Sequence, residues 1–276
     1  RTHFVPSSKE SGFEFMASWT IEAFVEDARL AAALARRESD VASLFVAGFS
    51  RGVSIAYGLA CVEPAGSVAG LIALDGGFKG HKPTASFDYA AARETLAAAG
   101  RYESDVAAGI GWDTRHRLMQ AAAANPTGPP LDPAFDSIGA QVSELLYGAW
   151  GPGRLANPKD GVSRVELLAR LLDGYDRYYP AIQNLDNASI ADHADDPRTP
   201  VDDAWGELAV PVLFFGTTGM GPRFLLSGIY SAVEAGSRDV SIHVLENHGH
   251  LDVLVGESGR RDVFEPVLSW IRKRAP

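Results

Sequence analysis

The chain has 276 residues, with 25 Lys and Arg against 35 Asp and Glu, which gives a formal net charge of −10 at pH 7. Hydrophobic residues make up 46% of the chain and charged residues 22%, so a disordered, collagen-like or coiled-coil chain is excluded. The acidic balance would repel a phosphate backbone, and nucleic acid is therefore not an expected partner. The single cysteine, Cys61, excludes an intrachain disulfide.

The length suits one large domain or a domain with an insertion, at about 150 residues per domain. No apolar stretch approaches the roughly 20 residues that cross a bilayer, so no transmembrane segment is expected. The chain begins at Arg1, which suggests a processed product or a fragment. The sequence does not indicate a cellular compartment.

A strand-then-helix rhythm opens the chain. Thr20–Arg37 has apolar residues at helical spacing, which predicts an amphipathic helix with Thr20 as its N-cap. Val41–Gly48 and Val68–Leu74 are continuous apolar runs of strand length, as expected for strands covered on both faces. A helix predicted over Gly52–Val62 lies between them, which makes one right-handed crossover unit.

Short helices broken by Gly and Pro follow in the middle of the chain. They are predicted over Ser86–Ala99, Asp113–Ala124, Ser137–Ala149 and Ser163–Tyr175. Ser163 and Glu166 have the spacing of a capping box at the start of the last helix. The sheet rhythm then returns, with strands over Val210–Gly216 and Val240–Glu246 and helices over Phe224–Ala235 and Arg261–Arg274.

These elements predict an α/β fold with a mostly parallel sheet. Residues 1–77 and 206–276 form its core in this interpretation. Residues 78–205 are an insertion between two strands, which we expect to form a helical cap.

Gly48-Phe49-Ser50-Arg51-Gly52 lies where a predicted strand ends and a helix begins, the context that a G-x-S-x-G nucleophile elbow requires. A tight turn there needs flanking positions without side chains and exposes the Ser50 hydroxyl at the carboxyl edge of the sheet. The backbone N–H of Arg51 then points at the place where an oxyanion develops. In the alternative interpretation, the glycines only ease the packing of helix on strand.

A serine hydroxyl needs a base to take its proton, and histidine suits this role near neutral pH. Among seven histidines, His250 follows the last predicted strand, where a loop would bring its ring over Ser50. His248 is the local competitor. Either one could instead be a surface-loop histidine.

The third member of such a triad is an acid. The loop after the strand that ends near Phe215 contains no carboxylate up to Gly221, but Asp75 ends the strand nearer Ser50. Asp75 could also be an ordinary turn residue before glycines. Glu246 and Asp252 are lesser candidates.

The set of Ser50, Asp75 and His250, in that order, resembles the α/β-hydrolase-fold serine hydrolases. The resemblance implies hydrolysis of an ester or amide through an acyl-enzyme, with lipases and esterases the commonest members. It implies a small apolar ester as substrate and no cofactor. Phe49 beside the elbow and the aromatic residues Trp150 and Tyr178 of the insertion are candidates for substrate binding.

In this family the elbow follows the fifth strand, yet only 49 residues precede Ser50. About four more strands are therefore expected from an N-terminal segment before Arg1 or from a companion chain. The second oxyanion donor normally comes from that part of the fold.

Two other classes of protein fit part of the pattern. His248-x-His250-x-Asp252 resembles the ligand cluster of zinc hydrolases, although no further histidine follows it. A non-catalytic binding module of the same fold is the other alternative. The same residues would also permit an acyltransferase or a carbon–carbon bond hydrolase, because the fold does not fix the reaction.

Overall fold

The computed structural model describes residues 13–82, 87–100, 102, 112–150, 162–174, 180–193 and 200–275, with the backbone alone at 112 and 146–150. Within these ranges no helix combines the length and the apolar character that a membrane crossing requires.

A four-stranded parallel sheet is the centre of the fold. Its strands are β1 (Leu44–Phe49), β2 (Val68–Leu74), β3 (Val212–Thr217) and β4 (Val240–Leu245), and they lie side by side in chain order. Every strand was predicted from the sequence, β1, β2 and β3 from apolar runs, and β1 begins three residues later than expected. Because all strands are parallel, the residues that follow them meet at one edge of the sheet.

Helices cover both faces of the sheet. They are α1 (Ile21–Ser39), α2 (Arg51–Val62), α8 (Pro222–Val233), α9 (Asp252–Val255) and α10 (Glu265–Arg272). On one face, Leu71 and Phe214 belong to a buried cluster with apolar side chains of α1, α2 and α8. On the other face, Ile72 and Phe215 pack in a cluster with Trp270 of α10. The mostly parallel α/β architecture predicted from the sequence is confirmed.

Among the described residues, five α-helices lie between β2 and β3. They are α3 (Tyr89–Ala99), α4 (Trp112–Ala124), α5 (Ile138–Trp150), α6 (Val165–Asp173) and α7 (Ile182–Ala191). α4, α5 and α6 bury a cluster of their own, which includes Met119, Ile138 and Leu168. Leu251 of the core belongs to the same cluster. All five helices fall inside the insertion proposed for 78–205, and its division from the core stays a prediction.

Helix α7 was not predicted from the sequence. Its buried face carries the polar side chains of Gln183, Asp186 and Ser189, so it shows no apolar stripe. Asp186 accepts hydrogen bonds from the backbone N–H of Ile21 at 2.7 Å and from the Tyr89 hydroxyl at 2.5 Å. Burial raises the pKa of Asp186. α7 is therefore held in place by polar contacts with α1 and α3.

The capping box predicted at Ser163 is wrong. Arg164 is the N-cap residue of α6, and no side chain caps the helix there. The Ser163 hydroxyl instead donates a hydrogen bond to Asp252 at 2.5 Å, and a distant carboxylate has thus replaced the local partner.

Within the described residues, β1 pairs with β2 alone. The expectation of further strands or a companion chain beside β1 stays a prediction.

Candidate active site

Ser50 stands between β1 and α2 with an unusual backbone. Its φ of 55° and ψ of −124° lie where side chains are seldom found. Its backbone N–H donates to the carbonyl oxygen of Leu74 at 3.0 Å, which ties the turn to the end of β2. The predicted strand–turn–helix context of Ser50 is therefore present.

The two glycines of the motif are not equivalent. A Cβ at Gly48 would lie 2.2 Å from the backbone oxygen of Gly52, so a side chain there would push strand and helix apart. A Cβ at Gly52 would meet nothing within 4 Å. The expectation that both flanking positions must lack side chains is corrected: only Gly48 is required by packing. Gly76 is another position without room for a side chain, since a Cβ there would lie 2.4 Å from the backbone oxygen of Ser50.

Asp75 follows β2 directly and is fully buried, with a φ of 46°. Its carboxylate accepts from the backbone N–H of Thr217 at 2.7 Å and from the Thr217 hydroxyl at 2.9 Å. The role of Thr217 was not predicted from the sequence. It ends β3, where the sequence offers no carboxylate, and this position instead supplies the hydrogen-bond donors that fix Asp75.

His250 makes the third contact with the Asp75 carboxylate, after the two from Thr217. Its Nδ1 lies 2.6 Å from Oδ2 of Asp75, and both side chains are buried. The imidazole ring stacks on Phe49 with 4.7 Å between ring centroids and meets the edge of Phe224 at 5.7 Å. Because a carboxylate accepts the Nδ1–H, the other ring nitrogen, Nε2, keeps its lone pair and can accept a proton.

The other residues of the His250 loop have different partners. Nδ1 of His248 contacts the backbone oxygen of Glu246 at 2.8 Å. Asp252 accepts from Ser163 and, at 2.6 Å, from the backbone N–H of Gly249, and burial raises its pKa. Neither Glu246 nor Asp252 is the carboxylate that holds His250.

The zinc alternative requires His248, His250 and Asp252 to converge on one ion. Their side chains instead make the three separate sets of contacts described above. Across the described ranges, no group of three or more His, Cys, Asp or Glu residues could hold a metal ion. The zinc interpretation has no support in this arrangement.

Arg51 begins α2, and its side chain contacts Pro180 and α7. The guanidinium donates to the backbone oxygen of Pro180 and the side-chain oxygen of Gln183, both at 3.2 Å, and to the side chain of Asn184. These contacts hold α7 beside the elbow. The backbone N–H groups of a helix's first turn point along its axis, which suits the oxyanion role expected of the Arg51 N–H.

A cavity of about 800 Å³ opens beside Ser50. Its apolar walls include Phe78, Phe87, Met220 and Phe224, and α7 contributes further lining residues. Phe49, expected at the substrate, is not among the described residues that line this cavity. Tyr178 and the side chain of Trp150 lie outside the described residues, so their predicted contacts with substrate stay predictions.

Comparison with known proteins rests on structure, because no family profile and no curated protein matches the chain. A candidate lipase from Sulfolobus solfataricus matches with a TM-score of 0.71 and 24% identity, over 99% of this chain and 71% of that one. A thermophilic esterase from Thermogutta terrifontis, in a malate-bound structure, gives 0.51 and 17% over 93% and 74%. An α/β-hydrolase-fold protein from Nakamurella multipartita gives 0.53 and 17% over 90% and 75%.

These likenesses and the parallel sheet define the class: the chain has the α/β-hydrolase fold. The resemblance predicted from the elbow and its neighbours is confirmed at the level of the fold.

Proposed function

We propose that this protein is a serine hydrolase that cleaves carboxylic esters, with Ser50 as nucleophile, His250 as base and Asp75 as acid. The observation that carries the proposal is the 2.6 Å contact between His250 Nδ1 and the buried Asp75 carboxylate. It lies at the sheet edge where the Ser50 turn opens onto a cavity. A buried carboxylate that orients an imidazole, with a serine at the same edge of the sheet, supports nucleophilic acyl transfer.

In the proposed reaction, Ser50 Oγ attacks the ester carbonyl while its proton passes to His250 Nε2. Asp75 stabilises the imidazolium that forms, and the Arg51 N–H donates to the oxyanion. His250 then protonates the departing alcohol, which leaves an acyl-enzyme. A water molecule repeats the sequence, releasing the carboxylic acid and restoring the Ser50 hydroxyl.

The proposed substrate is a small-molecule ester with an apolar part. Phe78, Phe87, Met220 and Phe224 offer a surface on which such a part can be buried. Names of two structural neighbours, a candidate lipase and an esterase, agree with this reaction class.

We also propose that α3 to α7 form a cap over this cavity. Asn187, Ala188 and Ala191 of α7 line it, opposite Met220 and Phe224. Entry of substrate would then depend on the position of α7.

Labelling with a fluorophosphonate probe tests the proposal. The wild-type protein should be labelled at Ser50, and Ser50→Ala should lose both the label and ester turnover. Ser54→Ala is the matched control, because Ser54 lines the same cavity but donates its hydroxyl to the Gly77 carbonyl at 3.2 Å. It should keep the label. A folded wild-type protein that takes no label and cleaves no ester would support the non-catalytic binding module instead.

A further inference from the structure

We infer that the substrate is an anionic ester, and that Lys82 and Arg223 bind its negatively charged group. The inference rests on the proposed hydrolase function and adds the charge of its substrate. Both side chains line the cavity that contains Ser50, and both are exposed. The substrate would therefore combine an apolar part with a carboxylate or a similar anion.

The charge of the cavity is opposite to that of the chain. Among the described lining residues, four are cationic and one is a carboxylate, whereas the whole chain carries a net charge of −10. The cations are Arg51, Lys79, Lys82 and Arg223, and the carboxylate is Asp192. A basic cavity in an acidic protein attracts anions and repels cations.

Two of these cations already have partners within the protein. Lys79 forms a buried ion pair with Asp202, which neutralises its charge. Arg51 donates to oxygen atoms of Pro180 and α7. Asp192, the one carboxylate, accepts from the backbone N–H of Phe87 at 2.6 Å. None of these three groups therefore needs a ligand to explain its position.

Lys82 and Arg223 differ in this respect. Within the part of the chain that the structure describes, neither side chain makes a hydrogen bond or an ion pair. An ammonium and a guanidinium are the donors that proteins use for carboxylates and phosphates.

The place of Arg223 supplies an independent argument. It is the second residue of the 12-residue helix α8, whose first turn contains no acidic residue. The N-terminal end of a helix carries a partial positive charge, so a cation there is unfavourable for stability. The helix N-terminus and the guanidinium instead add their positive potentials beside Phe224 at the cavity wall, which favours an anionic ligand.

Matched pairs of esters test the inference. The acid side is probed with the para-nitrophenyl monoester of glutarate against para-nitrophenyl pentanoate, and the alcohol side with para-acetoxybenzoate against its methyl ester. We expect kcat/KM to favour the anionic member of at least one pair by about tenfold, the effect of one hydrogen bond to a charged group. The preference should shrink at high salt.

Lys82→Gln and Arg223→Gln should each lower this anionic-to-neutral ratio. Arg238→Gln, which removes an exposed arginine outside the cavity, should leave the ratio unchanged. A ratio near one for both pairs, or equal effects of all three variants, would overturn the inference.

Binding separates this inference from the proposed function. Glutarate monoamide and pentanamide are titrated calorimetrically into Ser50→Ala. If wild-type Ser50 is labelled but the charge preference is missing, the anionic substrate is wrong and the hydrolase stands. If the anionic amide binds more tightly while wild type takes no label, the cationic site stands and the hydrolase fails.

Discussion

Ser50 and Asp75 both adopt left-handed backbone conformations, with φ of 55° and 46°. Such conformations cost about 1 to 3 kcal/mol for a residue with a side chain and persist only where the surrounding structure enforces them. Here the Ser50 N–H is bound to Leu74, and Thr217 and His250 hold the Asp75 carboxylate. Both residues belong to the proposed catalytic set, as expected where strain serves function.

Replacing Ser50 with glycine should therefore release strain. We expect Ser50→Gly to be about 1 kcal/mol more stable than Ser50→Ala, since glycine relieves the backbone cost but loses some of the gain to chain entropy. Urea unfolding of the two inactive variants measures the difference. Equal stabilities would show that the turn is not strained.

Asp75→Asn should lower kcat by about 10³- to 10⁴-fold, because an amide cannot accept from both Thr217 donors and still accept the Nδ1–H of His250. The imidazole would then present a protonated Nε2 to Ser50. Steady-state kinetics on a neutral ester measures the loss. Asp192→Asn, which alters another carboxylate at the cavity, is the control and should keep most of the activity. Near-normal turnover of Asp75→Asn would reject Asp75 as the acid.

At the scale of elements, the turn at Ser50 depends on the close approach of β1 to α2. Gly48→Ala should destabilise the protein by about 2 to 3 kcal/mol, because its Cβ would overlap the Gly52 backbone. Gly52→Ala should instead raise stability by up to about 1 kcal/mol, since alanine favours the helix and meets open space. Urea unfolding compares the two variants. A similar loss for both would contradict the asymmetry.

The loop that carries His250 is joined to the start of α6. Asp252 accepts from Gly249 within the loop and from Ser163 before α6, and the Glu257 N–H donates to the Val162 carbonyl at 2.7 Å. These contacts connect the proposed base to the proposed cap. Removal of the Ser163 hydroxyl would leave a buried carboxylate with one donor fewer.

Asp252 should also make stability depend on pH. Burial raises the folded-state pKa of Asp252 above the ordinary value of 3.8. The neutral carboxyl group therefore contributes to stability at pH values below about 3.8, and this contribution is lost as the group ionises at higher pH. In Asp252→Asn this loss is absent. The unfolding free energy of the variant minus that of wild type should therefore increase as the pH rises above about 4. Urea titrations along this range measure it, and a difference that is constant with pH would contradict the prediction.

For the whole molecule, the separate clusters predict uneven stability. The apolar side chains of β2 and β3 are buried on both faces of the sheet, whereas α4 and α6 depend on a single separate cluster. We expect amides of α4 and α6 to exchange at least about tenfold faster than those of β2 and β3, through openings that leave the sheet intact. Hydrogen exchange followed by mass spectrometry tests this, with α2 as the control helix. Equal protection of both groups would argue against a mobile cap.

Much of the fold could be predicted from the sequence, because strands of a parallel sheet are covered on both faces and therefore consist of continuous apolar runs. The elbow could be recognised for a related reason, since its glycines and serine lie within a few residues of each other. α7 could not be predicted, because its buried face is polar and its partners, such as Ile21, are distant along the chain. The capping box failed for the same reason, as Ser163 bonds to Asp252 rather than to its own helix.

The sequence by itself determined the fold class and identified three candidate residues, placed after strands, that could meet at one edge. Only the tertiary structure decided that the Asp75 carboxylate holds His250 and that Thr217 fixes this carboxylate. It also showed that Gly52 has room for a side chain. It alone also gathered Lys82 and Arg223 at one cavity. The physical reason is range: apolar periodicity and turn chemistry act between near neighbours, whereas hydrogen-bond partners and charges are assembled by packing across the whole chain.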